Sequence, residues 1–290
     1  MILIGESGST KCDWVVLKSN GTEHKRFSTM GFNPYFHSAS FINEELSENE
    51  MVKTIYNQVK YVYFYGAGAS SESLKDIVKD GLQRVLPNAD VNVDHDLVAS
   101  AYSTYTGEPA ITCIIGTGSN SCFFDGTELS EEVPALGYIL GDEGSASFIG
   151  KRLVSDFLYK KLPAEIAEDF FKTYRLDKDE IITSVYNKPN ANVSLASFSR
   201  FAGKHIEHPY VKQIVREGFV KFTDIHIACF DNCKTVPVHF VGSVGAIFHE
   251  ILEKVLEERG MHIGQIVRKP LDGLIKYHLE HLKVLDVYNV

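Results

Sequence analysis

The sequence predicts an α/β protein made of two related units, the second enlarged by a helical insertion. Three observations predict it. Ile2 to Ile4 and Trp14 to Leu17 are short apolar runs around a small, hydroxyl-rich turn, closed by the hairpin dipeptide Asn20-Gly21. Ile111 to Ile115 and Ser121 to Phe124 repeat this order around Gly116-Thr117-Gly118-Ser119-Asn120 and end at Asp125-Gly126. Each copy then has an apolar run entering a glycine loop and a helix: Tyr61 to Tyr65 before Gly66-Ala67-Gly68, and Val236 to Val241 before Gly242-Ser243-Val244-Gly245. Such strand, loop, helix alternation implies a parallel sheet.

Taken in order, Gly5 to Lys11 reads as a turn with bare backbone between the first two strands. A helical pattern covers Ala39 to Asn57. Leu74, Ile77, Val78, Leu82 and Val85 fall at helical spacing within Ser71 to Val85. Val91 to His95 alternates as a strand, and Leu97 to Tyr105 reads as a helix. The extra length of the second copy lies mostly in Ser145 to Asp231, where Leu153, Phe157, Ile166, Phe170 and Phe219 suggest helices. Ala246 to Glu258 continues as one helix. Leu271, Leu274, Ile275, His278 and Leu282 form a stripe that needs a partner surface. The expected division is 1–107 and 108–270, with a terminal helix starting at Leu271, within 271–290, packing back on the first unit.

Composition excludes several classes. With 29 basic and 38 acidic side chains the net charge is −9, unlike that of a binder of nucleic-acid backbones. Five scattered cysteines lack the density of a disulfide-stapled domain, which suggests a reducing cytoplasm. Met1 to Lys11 has no apolar signal region, and the uncharged stretch Pro109 to Phe124 is short of a membrane span. Cys229 and Cys233 stand at i, i+4 without His or Cys partners at ligand spacing, so they read as core.

Two glycine-rich turns that offer backbone N–H groups suit a cleft holding a polyphosphate from both sides, although any single such turn can merely join strands. Neither a P-loop nor a dinucleotide-binding glycine fingerprint is present. The motifs resemble those of the sugar kinase, heat-shock protein and actin superfamily. Within it they are similar to the BadF/BadG/BcrA/BcrD ATPase family, which includes N-acetylglucosamine kinases. The resemblance rests on Gly5-Glu6-Ser7-Gly8-Ser9-Thr10-Lys11, Gly116-Thr117-Gly118-Ser119-Asn120, Gly141-Asp142-Glu143-Gly144-Ser145-Ala146 and Val241-Gly242-Ser243-Val244-Gly245-Ala246. Glu6 stands where bacterial relatives more often have Asp, and Ser7 and Ser9 replace glycines.

The resemblance implies a two-lobed, duplicated ribonuclease H-like (actin-like ATPase) fold with an interlobe cleft, and ATP with Mg²⁺ as cofactors. It implies that Thr10, Lys11, Thr117, Gly118, Gly242, Gly245 and Ala246 hold the nucleotide and that Glu6 supports the hydrated Mg²⁺. Asn33, Asp96, Ser119, Asn120 and Asp142 would contact a small amino sugar. Phosphoryl transfer needs a group that takes the hydroxyl proton, and Asp96 is the expected base. Asp94 is its neighbour and competitor; Asp96 also reads as a helix N-cap, and Asn33, before Pro34, as a turn residue. The Ala135 to Ile139 stretch matches a loop beside the sugar, with Leu136 in place of an aromatic. The expected activity is phosphorylation of the 6-hydroxyl of N-acetylglucosamine or N-acetylmuramic acid by a cytoplasmic homodimer. The alternatives are an ATPase of the 2-hydroxyacyl-CoA dehydratase activator type and an actin-like scaffold.

Overall fold

The computed structural model describes residues 1–282, and the expected terminal segment beyond 282 lies outside the described residues. The chain divides into two compact units, Met1–Tyr105 together with the segment from Pro270, and Thr106–Lys269. Each contains a five-stranded mixed sheet, and the two sheets have the same order and sense.

In the first unit, β1 (Ile2–Ser7), β2 (Lys11–Leu17) and β3 (Glu23–Met30) form an antiparallel meander. Helices α1 (Ala39–Ser47) and α2 (Glu50–Ile55) follow, then β4 (Tyr61–Gly66), α3 (Glu72–Val85), β5 (Asp90–His95) and α4 (Asp96–Thr104). β4 and β5 add in parallel, giving the order β3-β2-β1-β4-β5. The expected helix from Ala39 to Asn57 is two helices. Asn49, extended at ψ 120°, caps the second by accepting from the Met51 and Val52 amides at 3.0 and 3.3 Å, which stops the first. The first turn is also shorter than expected. β1 runs on through Ser7, so Glu6 sits on a strand and only Gly8, Ser9 and Thr10 remain as turn.

The second unit repeats the meander with β6 (Ala110–Ile115), β7 (Ser119–Phe124) and the two-residue β8 (Leu129–Ser130). After the single turn α5 (Gly137–Leu140) come α6 (Ala146–Leu158), α7 (Ala164–Tyr174), α8 (Lys178–Tyr186), α9 (Ala191–Ser197), α10 (Ser199–Lys204) and α11 (Pro209–Phe222). α11 ends in a π-helical turn, Thr223–Ile227. β9 (Pro237–Val241), α12 (Ser243–Ile247), α13 (His249–Glu257) and β10 (His262–Val267) complete the unit, with the sheet order β10-β9-β6-β7-β8. The helix expected over Ala246 to Glu258 is interrupted at Phe248, whose buried ring and φ of −106° separate α12 from α13. Cys229 and Cys233 follow the π-helical turn and do not share a helix face; Cys233 is buried and both thiols are free.

This doubled order is the two-lobed ribonuclease H-like arrangement. Apolar strand faces dictate it: Leu3, Val62, Phe64 and Val91 meet Val78 and Leu82 of α3 on one side of the first sheet. On the other side Ile2, Ile4 and Ala99 meet Leu271 and Leu274 of α14 (Leu271–Glu280), the last described helix. Tyr102 and Tyr277 stack there with centroids 4.0 Å apart. Gly273 allows the close approach, because a methyl group would overlap the Ser103 carbonyl oxygen.

Candidate active site

In the first unit the candidate groups gather at the carboxyl ends of the parallel strands and in the first turn. Gly31 packs on that turn, where a methyl group would overlap the Gly8 carbonyl oxygen, and the Phe32 amide donates to Ser7 Oγ at 2.9 Å. Ser7 is therefore a buried brace. Gly5 lies under the Trp14 ring and is small for packing. Thr10 is exposed. Lys11 is also exposed and ion-paired with Asp13, and the register sets Asp13 directly across from Glu6. Cross-strand partners on one face stand about 5 Å apart, so two carboxylates flank the turn. Oxygen donors of this kind suit Mg²⁺, which takes few protein carboxylates and retains water.

Asn33 is buried and does form a turn: its Oδ1 accepts from the Tyr35 amide at 3.0 Å, and its own amide donates to His37 Nδ1 at 3.2 Å. Gly68, at φ +83°, lies against its side chain. The Asx turn uses the carbonyl end of Asn33 and fixes the direction of the amide end.

Asp94 and Asp96 are separated by their partners. Asp94 is paired with Lys75 Nζ at 3.0 Å and accepts from the His95 amide at 2.9 Å. Asp96 opens α4, where the N-cap position belongs to His95. Its polar neighbour is the His95 ring, with Nε2 3.2 Å from Oδ1, and its side chain retains 19% of its accessible surface. Burial pushes the Asp96 carboxyl above its ordinary value, against the His95 ring and the amides of Leu97 and Asp96 itself, which favour the charge. A carboxylate that is largely desolvated, without a lysine or arginine partner among the described residues, and still reachable has the character of a proton acceptor.

In the second unit the candidate groups lie around the β6–β7 turn. Ser119 and Asn120 belong to β7, not to the turn as expected. The Asp142 carboxylate accepts from the Ser119 amide at 3.1 Å and from Ser147 Oγ at 3.4 Å. Gly118 gives it room: a methyl group would lie 2.7 Å from Asp142 Oδ1. Asp142 adopts a left-handed φ of 55°, uncommon for a residue with a side chain. Burial raises its carboxyl above the ordinary value, with the Ser119 amide the main opposing influence. The turn also supports α6, since the Gly116 and Thr117 carbonyls accept from the Ala146 and Ser147 amides at 2.9 and 3.1 Å.

Gly242 comes against the same turn. At φ +124°, its α-carbon faces the Ile115 carbonyl oxygen so closely that a methyl group would overlap it. A methyl group on Gly116 would meet nothing within 4 Å. Gly116 thus leaves bare backbone at this turn, of the kind a nucleotide phosphate fills. Gly245 is buried between Phe240 and Leu252 and acts in packing; Ala246 follows it, half-buried.

No protein-family profile matches the chain, and no curated protein does. Among solved structures, a candidate N-acetylglucosamine kinase from Porphyromonas gingivalis is 37% identical, with a TM-score of 0.91 over 97% of this chain and all of that one. The chain belongs to the sugar-kinase family of that protein. A second candidate N-acetylglucosamine kinase, from Chromobacterium violaceum, is 13% identical with a TM-score of 0.73 over 95% of this chain and 98% of that one. A ROK-family glucokinase from Streptomyces griseus, solved with glucose and AMPPNP, is 14% identical with a TM-score of 0.57 over 95% and 97%. These two share the fold.

Beside these motifs stand residues that sequence reasoning passed over. Asn120 Nδ2 donates to Glu131 Oε2 at 3.3 Å. Glu143 faces His226, a residue of the π-helical turn, with Oε2 and Nε2 3.4 Å apart. Asp13 stands opposite Glu6, and this one was recoverable, because a tight turn between antiparallel strands dictates the register. Glu131 and His226 carry no such local signal. Among the described residues no group of three His, Cys, Asp or Glu side chains gathers to hold a metal, and no helix is long and apolar enough to cross a membrane.

Proposed function

We propose that the protein transfers the γ-phosphoryl group of ATP, with Mg²⁺, to the 6-hydroxyl of an amino sugar, N-acetylglucosamine or a close relative such as N-acetylmuramic acid. The observation that carries this reading is the difference between Asp94, ion-paired with Lys75, and Asp96, desolvated and with no lysine or arginine partner among the described residues. Asp96 accepts the proton of the attacking hydroxyl, and orients that hydroxyl before transfer. Asn33, Ser119, Asn120 and Asp142 present the donors and acceptors that select a sugar, since a missing hydroxyl would leave a buried group unpaired. Thr10, Thr117 and the backbone of Gly116, Gly118 and Gly242 hold the phosphates and adenosine. Lys11, paired with Asp13, lies beside them, while Ala246 shapes the adenosine wall over the buried Gly245. Glu6, with Asp13, holds the hydrated metal, which when bound neutralises charge on the phosphates.

The family membership supports this reading, as does the fold shared with a glucokinase solved with a sugar and an ATP analogue. The test is a panel of amino sugars with ATP and Mg²⁺, reading ADP release. We expect release stimulated by N-acetylglucosamine or N-acetylmuramic acid; ATP hydrolysis indifferent to every sugar would overturn the reading.

A further inference from the structure

The loop Gly141 to Ser145 carries Asp142 in a left-handed conformation that is unfavourable for a residue with a Cβ and persists only when its surroundings over-determine it. Several contacts do so. The Asp142 carbonyl accepts from the Ser145 amide at 3.1 Å, and the Glu143 carbonyl accepts from Ser119 Oγ at 2.8 Å. Gly144, at φ +71°, seats on Phe219, Gly218 and Phe222 of α11. The space beside Gly141 is taken by Leu136 and by Glu143 Oε2, so the Glu143 carboxylate is turned under the loop.

That carboxylate meets a single imidazole. His226 keeps only 4% of its side-chain surface and faces Glu143 through Nε2, while its Nδ1 is buried with no hydrogen-bond partner among the described residues. Burial lowers the His226 pKa and so favours the neutral ring, against the opposing pull of Glu143. With one ring nitrogen facing an acceptor, the proton belongs on Nε2. The ring stacks on Phe222, centroids 5.1 Å apart, and the His226 carbonyl accepts from Ser121 Oγ at 2.6 Å. The π-helical turn thus grips β7 through Ser121 and the 141–145 loop through Glu143. Single π turns of this kind recur at functional sites.

We propose that His226 is a positioning residue, which through Glu143 holds the Asp142 turn so that the Asp142 carboxylate meets the Ser119 amide. In this arrangement Gly141 leaves room, Asp142 supplies the ligand, Glu143 anchors the loop and Gly144 seats it on α11. The consequence for catalysis rests on the reading of Asp142 and Ser119 as sugar contacts. The positioning itself does not.

The test uses the whole chain and two readouts. Hydrogen exchange of the Ser119 amide, followed by NMR, reports the Asp142 contact regardless of substrate. We expect His226→Leu to accelerate that exchange at least tenfold and His226→Gln, which keeps a donor near the Nε2 position, to leave it close to wild type. Kinetically, His226→Leu should raise the KM for N-acetylglucosamine about 10- to 10²-fold, the scale of a misplacement of about 1 Å. The KM for ATP should stay within about twofold, the margin of a contact that does not reach the nucleotide. Glu143→Leu should reproduce both effects, and the double variant should be no worse than either single one. If His226→Leu does not fold, Glu143→Leu and His226→Gln carry the same exchange test. Unchanged Ser119 exchange, additive losses, or sugar and ATP constants rising together would overturn the proposal. A wild-type protein that phosphorylates no sugar would remove the kinase reading, and the exchange result would still decide the role of His226.

Discussion

The two units share one strand order but secure the turn between their first two strands in different ways. In the first, the β1–β2 turn is braced by backbone and by Ser7, and its carboxylates arrive along strands and at a strand end: Glu6, Asp13 and Asp96. In the second, the β6–β7 turn is enclosed by distant loops, with Asp142 entering over Gly118 and Gly242 pressed on Ile115. Duplication therefore conserves the frame and leaves the chemistry to differ. The first unit offers charge from rigid strands, where placement follows from the pleat. The second offers backbone, whose bareness depends on glycines at fixed points.

The largest expected effect tests the first unit's share. Asp96→Asn keeps shape and removes the proposed proton acceptor, so turnover with sugar should fall by about 10² to 10⁴ while ATP binding stays near wild type. Asp94→Asn should change turnover far less. The reverse order, read in the same ADP-release assay, would transfer the base role to Asp94.

The next sharpens the contrast between turns. Gly242→Ala places a methyl group on a carbonyl oxygen at a disallowed φ, which should cost about 1–3 kcal/mol of unfolding free energy in denaturant titration. Gly8→Ala, where a methyl group would meet only the Lys11 carbonyl oxygen at 3.9 Å, should cost well under about 1 kcal/mol, as surface changes usually do. Equal costs would mean that the two turns are held alike. A third substitution, Gly118→Ala, pushes on the Asp142 carboxylate and should raise the sugar KM about tenfold, the loss of roughly one charge-assisted hydrogen bond. An unaffected sugar KM would detach Asp142 from the substrate.

The smallest effect concerns proton linkage at Asp96. Its folded pKa is raised, so between the ordinary Asp value of 3.8 and the folded value the native state binds more protons, and stability falls as pH rises. Asp96→Asn should therefore melt slightly higher than wild type at neutral pH, with the gap closing below the ordinary Asp range. For the same reason kcat/KM should decline on acidification at a pH above that of an ordinary aspartate. A thermal-melt series across pH and a pH–rate profile check the pair.

Much of this was legible in the chain because it is local. Alternation from Val91 to His95 running into Leu97 puts Asp96 at a strand-to-helix junction, and doubled hairpin dipeptides announce the doubled sheet. What stayed hidden depends on long-range contact. Gly118 reads as a flexible turn glycine until Asp142, from beyond β8, is seen to fill its space. Asn49 looks like one more polar residue on a helix face, although its side chain is a better cap than a helix member. His226 carries no sequence signal, since its value comes from a widened helical turn that aims it at Glu143.

The return of α14 to the first sheet has a consequence for the order in which the molecule is made. Translation delivers domains from the amino-terminal side, at about 5–20 residues per second. The second unit is continuous from Thr106 to Lys269, whereas the first needs α14 to cover Ile2, Ile4 and Ala99. On the ribosome, the first-synthesised unit therefore waits with one sheet face uncovered until all of the later one has emerged, and the unit begun second has its full sequence first.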